Sequence, residues 1–359
     1  MEGGSSPSAP ASPLDFSAKA GNTEVALVWS KPKGAGEIKI VRKEKAYPSS
    51  SSNGVSVYQG GSRAAFVDKD LKNGTRYYYC AYAISDGGYS APAKANAKPL
   101  LFMELKGITA KSSIESYTNS FITCEGNVVI PAGKTLVIDN STLQISSPAD
   151  GKFGIYVYPG GTLKIINDSL VTAKDKKKGH YVFVARAGST LEVVDSTIEK
   201  TTKPGLLVET DHFIFKGSTI RNSKDSGLKI SGVKNVVVEK SNFEGNPGAG
   251  IVVAGSSITV ESCTIVSNKI GLVAEGSLEA MIQNSKFDKN PTAVLAKSSG
   301  LVLSGNSFLN CSAEAVINES GVTLEARNNY WGTTDAASLE ILFMGEVDYS
   351  DYLKEAPKP

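Results

Sequence analysis

Chemistry on this chain would have to come from carboxylates, because the other reactive residue types are scarce or scattered. Only two histidines occur, His180 and His212, and four cysteines, Cys80, Cys124, Cys263 and Cys311. No two cysteines stand in a C-x-x-C pair, so zinc or copper has almost no ligand set to draw on. Hydrolysis of a glycosidic bond needs two carboxyl groups at a defined separation. Calcium needs an acidic cluster. The candidate acids in the later part of the chain, Glu209, Asp211, Asp225 and Asp288, come from different corners of the pattern described below and scatter rather than converge. The strongest charge run, Lys174-Asp175-Lys176-Lys177-Lys178-Gly179-His180, reads as a solvated loop tip, with contact to an acidic glycan or a phosphate head group as the sharper alternative. The four methionines do not cluster either. The sequence therefore requires no cofactor and no metal, and assigns no catalytic residue.

The bulk composition agrees. Lys plus Arg is 38 against 36 for Asp plus Glu, which leaves no field for wrapping nucleic acid. Hydrophobic residues at 41% and charged residues at 21% are ordinary globular usage, and no apolar run reaches the roughly 18 residues of a membrane span. The Gly/Ser/Pro-rich start over residues 1–12 reads as a flexible tail. It is either plain disorder or the tether of an exported protein or lipoprotein whose leader has been removed.

Two patterns organise the remainder. From 13 to 99, short period-two runs (Val25, Leu27, Trp29; Ile38, Ile40; Tyr77, Tyr79, Ala81) are separated by turn clusters about ten residues apart, as in an antiparallel sandwich. Trp29 should fill its centre, and alternation puts two of the three tyrosines at 77–79 inside. From about 105 to 331 the chain repeats. A small or polar residue recurs at Ser196, Ser218, Ser241, Cys263, Ser285, Asn306 and Asn328, with Ser141 and Asp168 upstream, at a period near 22. Three short strands per period are what one turn of a parallel β-solenoid needs. Inward residues then form ladders, such as Ile198, Ile220, Phe243, Ile265, Phe287 and Phe308. A second turn column holds Asn222, Asn246, Asn268 and Asn290, whose amides can satisfy one another. Cys263 falls in the first column and Cys311 in or beside the second, two turns and about 10 Å apart. Free, buried thiols are expected, since a disulfide needs Cα atoms within about 7 Å.

The segment 13–99, with V-x-L-x-W-x-x-P and later L-x-N-G-T-x-Y-Y-Y, resembles a fibronectin type III domain. Such domains are mostly spacers or binders of sugars and proteins. The segment 100–331, closing on Asn328-Asn329-Tyr330-Trp331-Gly332, resembles the right-handed parallel β-helix family of pectate-lyase-like and NosD-like proteins. Residues 332–359 resemble its C-terminal cap and tail. The expectation is an all-β chain, a fibronectin-like sandwich followed by a right-handed single-stranded parallel β-helix of about ten turns. Resemblance to that family implies carbohydrate binding or cleavage on one long sheet face, and the NosD-like name brings a copper association that the residues here do not support.

The face where such enzymes work can be read off the strand after the recurring glycine. Its outward residues are Tyr156, Phe183, Leu207, Lys229, Val252, Val273 and Leu295, although G-H-Y-V-F-V-A around Phe183 can be read in either parity. The row is apolar apart from Lys229, with neither a metal cluster nor a carboxylate pair. The next strand presents Val137, Lys164, Glu192, Ile214, Val237, Thr259, Met281 and Val302, and the third Glu199, Arg221, Glu244 and Asp288. An apolar outward row needs covering. The cover could be another part of the chain, a protein partner or second copy, or a sugar stacked on Tyr156, Tyr158 and Phe183. The expected function is a non-enzymatic, exported structural or binding protein, at the cell surface, in the periplasm or outside the cell, that shows a rigid face to proteins or glycans. A polysaccharide lyase, glycoside hydrolase or glycan binder is the alternative, with its groove where the loops at 146–153 and 173–180 overhang Tyr156.

Overall fold

The structure is a computed structural model that describes residues 8–175, 178–276 and 279–357. The expected tail lies partly outside them, at 1–7, as do Lys176 and Lys177 of the charged loop. The chain divides into two compact units, Met1–Met103 with Asn119–Phe121, and Glu104–Thr118 with Ile122–Pro359.

The first unit is a pair of antiparallel sheets over one core. One sheet holds Leu14–Ala20, Val25–Ser30 and Ala65–Asp68. The other holds Val55–Gly60, Glu37–Glu44 and Tyr77–Ser85, with Gly88–Tyr89 and Ala93–Ala97 on the latter. Trp29 is buried between them with Leu27, Ile38, Ile40, Tyr77 and Tyr79. The Tyr77 hydroxyl accepts from the Lys72 amide at 3.1 Å and so ties the turn to the strand that follows it. Asp68, buried, accepts from Arg42 at 2.8 Å and from the Tyr79 hydroxyl at 2.9 Å, so its charge is compensated. This is the two-sheet antiparallel sandwich that the alternation over 13–99 predicts.

The second unit is a parallel β-solenoid. Its three sheets contain 11, 11 and 10 strands, and within each sheet every strand is followed by the one a full turn later. About eleven turns result, against about ten expected. Pairing in register stacks like residues on like. On the second sheet Leu163, Leu191 and Phe213 stand above one another, and on the third Ile220, Phe243 and Ile265. No single turn could bury these side chains alone. Stacking removes them from water at roughly 25 cal/mol per Å² of apolar surface.

The bends are built from two adjacent columns, which corrects three sequence assignments. One column is left-handed: Asn140, Asp168, Asp195, Gly217, Lys240, Ser262, Asn284, Gly305 and Asn328 all have positive φ. The next residue points inward, and its side chain caps an amide of the turn before. Ser169 Oγ accepts from the Ser141 amide at 3.1 Å, and Asn329 Oδ1 from the Asn306 amide at 2.8 Å. The ladder residues are therefore Ser169 and Asn329, not Asp168 and Asn328. The second corner repeats the scheme. Asn222 is exposed at φ 53°, and the buried position is Ser223, whose amide donates to Asn246 Oδ1 at 3.0 Å. Asn246, Asn268 and Asn290 do stack as amides, with Nδ2 donating to the next Oδ1 at 2.9 and 3.2 Å. Asparagine suits both columns, through its tolerance of the left-handed region in one and its amide in the other. Sequence alone shows only that polar residues cluster there.

All four cysteines are free. Cys80, Cys124 and Cys263 are buried and Cys311 is half-buried, so burial is shallower there than expected. Desolvation pushes the Cys263 thiol up to about 12.

The C-terminal segment extends the solenoid. Helix Ala336–Glu340, capped by Asp335 accepting from the Ser338 amide at 2.9 Å, leads into Phe343–Met344 and Val347–Asp348. These pair in parallel with Val316–Asn318 and Leu324–Glu325, so sheet edges that would otherwise be open gain one more strand each. Rings continue out of the core through Phe308, Trp331, Phe343 and Tyr349, with centroids 4.4, 4.8 and 4.5 Å apart.

Candidate functional site

The outward row of the first sheet runs Tyr156, Val184, Leu207, Lys229, Val252, Val273 and Leu295, one residue per strand. Phe183 is not in it. Strand Tyr181–Ala185 sets Phe183 in register with Ile155 and Leu206, fully buried, and turns Val184 outward. Tyr181 fixes the parity. It too is buried, and its hydroxyl donates to the Val171 carbonyl at 3.2 Å, so the tyrosine can lie inside without an orphaned polar atom. The opposite parity would expose two aromatic rings and lose roughly 2–3 kcal/mol of burial for each. An aromatic platform of Tyr156, Tyr158 and Phe183 therefore does not form. Tyr156 is half-buried, and Tyr158, beyond the strand's end, is 45% exposed.

The row is partly self-covering. Val252 and Val273 are each 9% exposed and pack with Ala249, Ile270 and Leu295. Neighbouring strands stand about 4.8 Å apart, so branched side chains meet shoulder to shoulder. The one charge is neutralised, with Lys229 Nζ reaching Glu275 at 3.3 Å across the intervening strand.

The second sheet is more open. In its central column Ile214, Val237, Thr259, Met281 and Val302 are consecutive partners. Ile214 is 50% exposed, Val237 48% and Met281 43%. A shallow groove of about 500 Å³ lies over Val237, Thr259, Met281 and Val302. The flanking columns are polar. Asn235, Ser257 and Glu279 border the groove on one side, and Lys216, Glu239, Glu261 and Gln283 follow one another on the other. Lys216 is bound to Glu239 at 2.6 Å.

The third sheet carries a charged ladder. Glu199, nearly buried, accepts from the Thr172 hydroxyl at 2.8 Å and from Arg221 Nε at 2.9 Å, and Arg221 reaches Glu244 at 3.5 Å. Burial alone would raise the Glu199 carboxyl, but these hydrogen bonds and the charges of Lys200 and Arg221 hold it below its usual range. Its lone pairs are taken, so the ladder reads as structural.

One cluster does converge, where the loops at 146–153 and 178–180 meet. Asp150 Oδ1 accepts from the His180 amide at 2.9 Å and lies 2.8 Å from His180 Nδ1, while Oδ2 is held by Lys224 Nζ. The loop is further tied by the Gly151 amide donating to the His180 carbonyl at 2.8 Å. The acids named from sequence stay apart. Glu209 pairs with Arg186, Asp225 with Lys203 and Asp288 with Lys286, while Asp211 accepts from the Lys234 amide. Among the described residues no group of three or more His, Cys, Asp or Glu side chains is placed to hold a metal ion. Sequence reasoning missed the Asp150–His180–Lys224 cluster as a unit, because its members lie on three different turns and no spacing links them.

Residues 153–313 match the family model described as a right handed beta helix region, and the solenoid is right-handed. No curated protein matches the chain. Among solved structures, a mutant of FN3tt is 21% identical with a TM-score of 0.21, covering 25% of this chain and 94% of that one. The chicken CNTN1 FN1–FN3 domains are 21% identical with a TM-score of 0.23, covering 25% of this chain and 33% of that one. The fourth FNIII domain of a human protein is 21% identical with a TM-score of 0.24, covering 28% of this chain and 86% of that one. No helix among the described residues is long and apolar enough to cross a membrane.

Proposed function

We propose that the chain is a non-enzymatic binding and structural protein, exported from the cell, whose solenoid presents a rigid flank to a protein partner. The observation that carries this is the column Ile214–Val237–Thr259–Met281–Val302, apolar but for Thr259, with Ile214, Val237 and Met281 exposed on the face of a parallel sheet. Exposed apolar surface in a contiguous strip marks an interaction face more often than a reaction centre. The first-sheet row of Tyr156, Leu207, Lys229, Val252, Val273 and Leu295, with Tyr158 at its rim, adjoins it as a second, better-packed contact surface. The fibronectin-like unit fits the role of spacer or additional binder.

A second reading has one observation in its favour. Asp150 orients the His180 ring as a general base is oriented, with Lys224 beside it, at the edge of the Tyr156 row. Such a site would act on an acidic polysaccharide. Incubation with a panel of uronate-containing polysaccharides separates the readings, with released ends followed by reducing-sugar and ultraviolet assays. No release is expected. Release that is abolished by His180→Ala or Asp150→Asn, in protein of unchanged fold, overturns the binding-protein reading.

A further inference from the structure

We propose that the outer face of the larger sheet in the first unit binds an acidic polysaccharide. The site lies apart from the solenoid flank proposed above and stands without it.

Parity builds the face. In Glu37–Glu44 and Tyr77–Ser85 the side chains of Ile38, Ile40, Tyr77 and Tyr79 enter the core, so Lys39, Lys43, Tyr78 and Tyr82 turn outward. On the adjacent strand Asn96 and Lys94 stand beside Tyr78 and Cys80 with the same parity. The segment after Glu44 folds back over the middle of the face. Its Tyr47 packs on the buried group of Val41, Cys80 and Tyr82 and meets the Tyr78 ring edge-on at 5.0 Å. At the far end Tyr89, 45% exposed, stands edge-on to Tyr82 at 6.1 Å. From Tyr78 to Ile84, the partner of Tyr89, the strip runs about 20 Å, which suits a chain molecule better than a single small one.

Charge selects an anion. The four bases of the face, Lys39, Lys43, Arg76 and Lys94, all hold neutral partners. Lys39 Nζ lies 5.8 Å over the Tyr89 ring and Lys94 Nζ 5.4 Å over the Tyr47 ring. Lys43 donates to Asn53 Oδ1 at 3.1 Å, and Arg76 to Asn96 Oδ1 at 2.9 Å. On the solenoid, by contrast, Lys164, Lys216, Lys224 and Lys229 each hold a carboxylate. The acids here are fewer. Glu37 accepts from Gln59 Nε2 at 3.0 Å, and Asp86 stands in the turn before Tyr89. Glu44, followed by Lys45, has the opposite parity. The face is therefore positive, and a bound anion relieves the repulsion among its bases.

Rings and amides select a sugar. Tyr89 and the half-buried Tyr47 and Tyr78 offer ring surface for a pyranose. The Asn96 amide, which donates to the Tyr47 hydroxyl at 2.8 Å, and exposed Gln59 offer donors and acceptors to hydroxyl groups. The spacing of the bases opposes a nucleic acid. Lys39 and Lys43 have Cα atoms about 13 Å apart along one strand, and Lys43 and Lys94 about 12 Å apart across the sheet, whereas phosphates follow one another about every 3.4 Å on a strand of duplex.

The test uses the full chain and fluorescein-labelled hyaluronate and polygalacturonate oligosaccharides long enough to span the strip, with binding read by anisotropy. Labelled dextran, polyglutamate and oligothymidylate serve as a neutral sugar, an acidic polypeptide and a nucleic acid. Saturable binding of at least one acidic oligosaccharide, and of none of the comparison polymers, is expected. Lys43→Glu with Lys94→Glu should weaken it about tenfold or more and reduce its salt dependence. Tyr89→Ala should weaken it about threefold or more, a loss that contact through charge alone would not show. His180→Ala, on the solenoid, should leave it unchanged. All three substituted residues of the face are exposed, and thermal melts check that each variant is folded. No binding of either acidic oligosaccharide, equal binding of polyglutamate or oligothymidylate, or binding untouched by Lys43→Glu with Lys94→Glu overturns the proposal. Binding that His180→Ala abolishes also overturns it, because the sugar then sits on the solenoid.

Discussion

At the residue scale the solenoid is stabilised by side chains that act as backbone. Asn268 shows how much one position carries. Its Nδ2 donates to the Phe243 carbonyl at 2.9 Å and the Val266 carbonyl at 3.1 Å, and its Oδ1 accepts from the Asn246 amide at 3.1 Å. Truncation leaves several buried groups without partners, each worth about 1–3 kcal/mol. Asn268→Ala should therefore cost about 3 kcal/mol or more, read as a lower urea midpoint at unchanged slope, whereas the exposed Asn222→Ala should cost well under half of that. Cys263 occupies the serine column, and its Sγ lies 3.3 Å from the Glu261 carbonyl. With its thiol held up to about 12 by burial, native protein at pH 8 should leave Cys263 unlabelled by iodoacetamide for hours, while urea-unfolded protein labels at once. Labelling of the native thiol at the unfolded rate would show that its surroundings are open. Both residues were legible as column members from spacing alone. Asp168, Asn222 and Asn328 were each assigned one residue early, because the left-handed bend residue and the inward residue after it draw on the same polar types.

At the element scale, the loop at 146–153 is fastened by one carboxylate. Asp150 is lowered well below the usual range, first by the Lys224 hydrogen bond and then, against the cost of burial, by the side chain and amide of His180. A depressed carboxyl stabilises the folded form fully above its unfolded value of about 3.9, and that contribution is lost as pH falls through the lower folded value. Hydrogen exchange of the peptide containing Gly151 should thus be slow from neutral pH down to about 5, and its protection should fall below about 4. Asp150→Asn should already be less protected at pH 7 and should show little further change on acidification. Equal protection in the two proteins would mean that the loop is held by its main-chain bonds. From sequence this loop was only an insertion in the period. The strand after the charged loop was the one place where parity could not be read, since Tyr181, Val182, Phe183, Val184 and Ala185 are all apolar. What settles it, a hydroxyl reaching the Val171 carbonyl, belongs to the tertiary structure.

At the scale of the whole solenoid, each turn packs on its two neighbours, and only single ion pairs such as Lys229–Glu275 and Lys224–Asp150 reach further, so stability should propagate along one dimension and fail from an end. The overall architecture was the most legible feature, because a period near 22 constrains every turn at once, whereas the exposure of a flank depends on how residues from different turns pack. The C-terminal end is sealed by Trp331, buried and stacked on Phe308 at 4.4 Å, with Phe343 edge-on at 4.8 Å. Trp331→Ala removes the ring that joins the repeat to its closing strands, at a cost of about 3–5 kcal/mol. If the turns are coupled only to neighbours, that loss is local. Exchange should accelerate at Val316–Asn318 and Leu324–Glu325, whose parallel partners follow the tryptophan, and next at Ser307–Leu309. Strands near Leu163 and Leu191 should keep wild-type protection. A uniform rise in exchange across all the turns would instead mean that the solenoid unfolds as one cooperative body, and the nearest-neighbour account would have to be abandoned.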